Sequence, residues 1–185
     1  YVQQGGRVSL FDEYQQQGGE LRTSGPSATI CLDGWGSRLE AAHATLDGEN
    51  TMITIIGGAV LDASGEVKLG YSEETSATVA LEGFGSKLRA KRVEVGSQNS
   101  TGTGVLSIGP GAAVEVTQDV LVNEHGSLEI DGGRLTADHL TLDQTRRVDL
   151  HDATVELAQD LGVDATSTVW MSGRTRIDAP NVLNE

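Results

Sequence analysis

Residues 27–41 read SATICLDGWGSRLEA, and residues 76–90 read SATVALEGFGSKLRA. Nine of the fifteen positions are identical, and Ile30/Val79, Asp33/Glu82, Trp35/Phe84 and Arg38/Lys87 exchange like for like. A phrase that returns at a fixed distance is the mark of a repeat architecture, in which each unit buries its apolar face only by stacking on its neighbours. Weaker copies lie between the two strong ones. The first apolar position of each copy falls at Ile30, Ile53, Val79, Leu106, Leu128, Val148 and Val169, with spacings of 20 to 27 residues. The unit is therefore about 23 residues long, and the doubled phrase spans two units.

Within a unit, apolar and polar residues alternate in three short segments, the period-2 pattern of strands. SLEIDGGRLTADHLTLD shows it well: Leu128 and Ile130, Leu135 and Ala137, and Leu140 and Leu142 point inward. The third segments align Leu46, Leu69, Val95, Val122, Leu142 and Val163. Each is followed by Gly, Asn or Asp (Asp47, Gly70, Gly96, Asn123, Asp143, Asp164). These residue types best tolerate a left-handed backbone, so a repeated left-handed corner is expected there. The corner after the first segment varies more: DGWG, GG, GFG, GPG and DGG. Recurrent glycine pairs and the lack of a sustained 3.6-residue stripe exclude helices. The expected fold is an all-β, right-handed parallel β-helix with three sheets. Some nine coils, each hydrogen-bonded to the next at about 4.8 Å, would make a rod on the order of 40 Å long. It forms one domain, 1–185, with short irregular coils over 1–26, regular coils over 27–143 and divergent coils over 144–185.

The first coils carry a shorter echo. YVQQGGRVSLFDE is followed by YQQQGGELRTSGP, matching Tyr1/Tyr14, Gln3/Gln16 and Gly5/Gly18. Gln3 and Gln16 fall where later coils place inward apolar residues, and a stacked amide ladder is the expectation for them.

Composition narrows the partners. A net charge of −14 with only three lysines (Lys68, Lys87, Lys91) excludes a phosphate-binding surface for nucleic acid. One cysteine excludes an internal disulfide framework and a Cys-based zinc site. No apolar run long enough for membrane insertion is present, and the first residues lack a signal-peptide pattern. The sequence opens in mid-pattern, which suggests a mature fragment or a segment of a longer chain.

YVQQGGRV and YQQQGGEL, together with VEVGSQNSTGTGVLSIGPGAAVEV at 93–116, resemble the β-helical repeats of bacterial autotransporter passengers and related secreted surface proteins. The resemblance runs from residue 1 to about 143; VDLHDATVEL and TVWMSGRTRI lack its Gly-Gly corner. It implies secretion and an extracellular or bacterial cell-surface setting, and a role as stalk, adhesin or scaffold. It carries over no catalytic residue.

In such a rod, function lies on outward positions and corners. The first outward column reads Cys31, Thr54, Ala80, Ser107, Glu129, Asp149 and Trp170. The second reads Glu40, Leu61, Arg89, Glu115, Thr136, Glu156 and Arg176, and the third Thr45, Lys68, Glu94, Leu121, Thr141 and Gly162. Neither of the last two holds the carboxylate and cation cluster of a polysaccharide lyase, and Arg89–Glu115 reads as a cross-coil pair. Titratable groups gather at Glu129 and Asp149 on adjacent coils, with Asp131, His151 and Asp152 at the next corner and His125 nearby. This patch would suit a cation such as calcium, or another ligand, or else be a plain solvated acidic face. Trp35 and Phe84 occupy matching corners and are candidates for stacking on sugar rings, or for folding back over the core. Trp170, outward near the C-terminal end, is a candidate contact for a further coil or another subunit, or else a partly exposed surface residue. Cys31 aligns with Ala80 and reads as a small strand residue. Asn99-Ser100-Thr101 is a glycosylation sequon, relevant only in a eukaryotic secretory host. The longest corner loops, 70–76 and 96–104, are further places for recognition.

No catalytic constellation stands out. The expected role is a non-enzymatic structural or adhesive rod that self-associates, or continues as the same chain, at its open ends; no cofactor is called for. A polysaccharide-binding or polysaccharide-cleaving module, marked by a groove of charged and aromatic residues on successive coils, is the alternative. A viral tail-fibre or spike segment shares the fold.

Overall fold

The computed structural model describes residues 2–3, 7–11, 15–16, 19–24 and 26–184. Among them every regular element is a β-strand. The strands form three parallel sheets, visited in strict rotation, with eight strands in the first sheet, eight in the second and nine in the third. The molecule is thus a three-sided parallel β-solenoid of eight stacked coils plus one further strand, Val2–Gln3, rather than nine complete coils.

The stack follows the repeat seen in the sequence. Ile30, Ile53, Val79, Leu106, Leu128, Val148 and Val169 are paired neighbours along the first sheet. Leu46, Leu69, Val95, Val122, Leu142 and Val163 are paired along the third. Strand after strand alternates buried and half-buried residues, as in Arg38–Ala41, Glu66–Leu69 and Ala113–Val116. The buried set forms one continuous apolar column of Leu, Ile, Val and Ala down the axis. Each fully buried Leu or Ile contributes about 1.5–3 kcal/mol relative to exposure, so cohesion is spread over many equivalent layers.

Corner geometry departs from expectation. Of the six residues directly after the third strand only Gly70 and Gly96 adopt a left-handed conformation; in the Asp47 and Asp143 corners it falls instead on Asn50 and Gln144. The Asp and Asn side chains add hydrogen bonds, within the corner or to a neighbouring coil. The Asp47 carboxylate accepts from the Ser72 backbone N–H at 2.8 Å, and the Asp164 carboxylate accepts from that of Thr166 at 2.8 Å. Asn123 Nδ2 donates to the Gly96 carbonyl at 3.0 Å. Glycine is required where the next coil passes closest: a Cβ on Gly70 would lie 2.0 Å from the Thr103 carbonyl oxygen. Left-handed residues recur as well at the other, more variable corner, between the first and second strands, from Gly34 to Gly173, with Asp152 among them at φ 46.

Two register assignments also change. Glu40 pairs with Asp62, and Leu61 points inward, fully buried. Glu156 pairs with Asp178, while Arg176 lies opposite Thr154. The Gly57-Gly58 corner is one residue shorter than Asp33–Arg38, because Asp33 pairs with Ile56 and Arg38 with Val60. A one-residue slip exchanges the two faces of a strand. At the N-terminal end, Gln3 pairs with Ser24 in the third sheet and Gln16 with Leu39 in the second. A 13-residue step thus advances the chain by two sides rather than a full coil, and the two glutamines do not stack on each other. Their side chains lie outside the described residues.

Candidate functional site

The corner between the first and second strands gathers more exposed, chemically distinctive side chains than the flat faces beside it. Its frame is set by the doubled phrase. Ser37 and Ser86 are fully buried, and their hydroxyls donate back to the Asp33 and Glu82 carbonyls at 2.6 and 2.7 Å, closing each corner. Ser86 Oγ also accepts from the Gly58 N–H of the preceding coil at 3.1 Å. With the turn tied down beneath, Trp35 and Phe84 are held outside it and stay 69% and 79% exposed. Neither folds back over the core.

Trp35 lies along the stack. A Cβ added to Gly58, one coil on, would sit 2.9–3.3 Å from Cδ2, Cε2 and Cγ of the indole, and one added to Gly85, a further coil on, 3.1 Å from Cη2. The ring therefore rests on glycines of two successive coils and turns its remaining surface to solvent. Asp33, two residues before Trp35, has Oδ1 2.6 Å from the Cβ position of Gly57. Glu82 precedes Phe84 in the same way, and exposed Pro110 follows one coil on. The same corner then runs through Asp131 and His151, which are paired neighbours, to Asp152.

The acidic patch is assembled as its spacing suggests. Glu129 and Asp149 are register partners on adjacent coils, and Trp170 follows Asp149. Its charges are partly answered within the patch. Arg147 pairs with Asp149 on the same strand; His151 Nε2 lies 3.3 Å from Asp152 Oδ2, and His151 Nδ1 lies 2.9 Å from Ser172 Oγ. Asp152 Oδ1 accepts from the Arg174 backbone N–H at 2.6 Å. Among the described residues no three His, Cys, Asp or Glu side chains converge as a metal site. His125 is not beside the patch: it precedes the strand Gly126–Asp131, whose far end carries Asp131.

The other faces are dominated by contacts between coils. On the second sheet a basic outward column stands beside an acidic one. Arg38 pairs with Glu40 and Asp62, Lys87 and Arg89 with Glu115, Arg134 with Glu156, and Arg176 with Asp178. Burial alone would raise the Glu115 pKa, but hydrogen bonds and charge from Lys87 and Arg89 outweigh it and hold the carboxyl below its ordinary value. On the third sheet, a groove of about 340 Å³ opens over Thr141 and Gly162, bordered by His139 and Asp160, which lie 3.4 Å apart. The long loops bind each other: Ser100 Oγ donates to the Tyr71 carbonyl at 2.9 Å, and the Glu74 N–H to Thr101 Oγ1 at 3.3 Å. Cys31 is a half-buried free thiol opposite Thr54.

At the C-terminal end the core columns run on into the last coil. Met171 and Val182 occupy the inward positions above Leu150 and Leu161, yet are 62% and 67% exposed. Trp170 beside them is 66% exposed.

The alignment of DGWG, GFG and DGG on one corner already implied that Trp35, Phe84 and Asp131 share it. The signal for its acidic members was there: both copies of the phrase set a carboxylate two residues before the aromatic. Comparison with family models, with curated proteins and with solved structures returns no match.

Proposed function

We propose that this chain is a non-enzymatic structural rod of a bacterial extracellular or cell-surface protein, serving as a stalk or assembly segment. The observation that carries this reading is the uninterrupted stack, in which coil follows coil in register on three sheets around one apolar column. Met171 and Val182 continue the core columns in register into the last described coil. A rod built this way lengthens by one more β layer, from the same polypeptide or a second copy. The ion-pair columns of the second sheet support the same reading, because they fasten coil to coil along the axis. The repeat's resemblance to autotransporter passengers supports the cell-surface setting.

Light scattering on a sizing column, with electron microscopy, tests the proposal. The purified chain is expected to associate with rising concentration, equally with calcium and with chelator. The double variant M171K/V182K should stay monomeric with an unchanged β-sheet circular dichroism spectrum. A chain that remains monomeric at every concentration, or that depolymerises a polysaccharide, contradicts the reading.

A further inference from the structure

The corner that carries Trp35 and Phe84 has features a mere spacer does not need. An exposed indole costs solubility, and a corner can be closed without one, as Gly57-Gly58 shows on the intervening coil. Here the ring is seated on Gly58 and Gly85, where any side chain would displace it. It forms a flat apolar plate parallel to the rod surface. The module repeats two coils on, with Glu82 and Phe84 in place of Asp33 and Trp35, at a separation of about 9.6 Å from the coil rise.

We propose that this corner binds an unbranched, neutral β-1,4-linked glycan lying along the rod. Four properties select that ligand. The C–H faces of equatorially linked pyranose rings are flat and apolar, matching an indole plate whose polarisable π surface attracts them. A carboxylate two residues before each aromatic, on the same corner, can accept hydrogen bonds from ring hydroxyls, and charged acceptors form the stronger hydrogen bonds. Two like modules in line along a rigid axis match a polymer whose own units repeat in line. Finally, the corner continues into Asp131 and Asp152, and the chain carries a charge of −14, so uronate or sulfated glycans are repelled. The rod thereby gains an adhesive edge, whether or not its ends associate.

Trp35 is one of only two tryptophans, so W170F leaves it as the sole reporter. Cellohexaose and N-acetylchitohexaose, titrated into W170F, should change Trp35 emission saturably in at least one case, and the corresponding dimer should bind more weakly. In the otherwise native chain, followed by calorimetry, W35A should weaken binding about tenfold or more, and F84A about fivefold for the hexamer but little for the dimer. D149N should leave affinity unchanged, since Asp149 lies off the corner. No saturable response to either hexamer overturns the proposal. So does concentration-dependent self-association that W35A abolishes, which would make the plate a contact between copies. The M171K/V182K variant separates the two readings: it should lose end association while keeping glycan affinity.

Discussion

Arg89 Nε donates to Glu115 Oε2 at 2.9 Å across the interface of two coils, and Lys87 reaches the other carboxylate oxygen at 2.6 Å. One acid thus answers two cations on the neighbouring coil. Similar pairs recur along the second sheet, so this face binds the stack lengthwise through side chains as well as backbone.

Because the Glu115 pKa is lowered in the folded protein, its contribution to stability is fully present above the unfolded value, near 4.5, and is lost as pH falls through the folded value. The side chain is 38% exposed, so solvent screening keeps the effect small. E115Q is expected to cost at most about 1 kcal/mol at neutral pH. Urea titrations should show that difference shrinking in 1 M salt and vanishing as both proteins are acidified.

Gly70 and Gly162 should respond oppositely to alanine. A Cβ at Gly70 meets the Thr103 carbonyl oxygen at 2.0 Å with φ at 62°, whereas the nearest atom to a Cβ at Gly162 is Thr141 Cγ2 at 3.8 Å. G70A is expected to destabilise by about 2–4 kcal/mol, and G162A to be neutral or stabilising by about 0.5 kcal/mol. Thermal unfolding followed by circular dichroism checks both.

Core substitutions should be costly in mid-stack and cheap at the open end. Leu106 is fully buried between Val79 and Leu128, while Val182 occupies an equally inward position but is 67% exposed. L106A is expected to cost about 2–5 kcal/mol and V182A less than about 0.5 kcal/mol. In hydrogen exchange, L106A should open coils on both sides of the lesion, as expected when each layer is held by its nearest neighbours.

The sequence made the stacking legible because inward positions must be apolar in every coil. Val79, for instance, had to align with Ile53 and Leu106, and it does. Legibility failed where corner length varies, since nothing local distinguishes a two-residue turn from one of three or four; Leu61 and Arg176 were displaced for that reason. It failed again at the third-strand corners, where one residue class hides two solutions: Gly70 is itself left-handed, whereas in the Asp47 corner Asn50 is, and the Asp47 carboxylate ties the next coil through the Ser72 N–H. Trp35 and Phe84 could be placed on matching corners, but the seat of the indole on Gly58 and Gly85 depends on how the neighbouring coils stack.

Every functional reading rests on coils stacked in register, and the outward column of the first sheet offers a direct test. Spin labels on Thr54 and Glu129 are separated by three coil steps, and labels on Thr54 and Trp170 by five. With C31A to remove the native thiol, pulsed electron spin resonance should place the first pair about 14 Å apart and the second about 24 Å apart, taken between backbones. An increase of about 4.8 Å per coil establishes the rod. Separations that do not grow with coil number would contradict it.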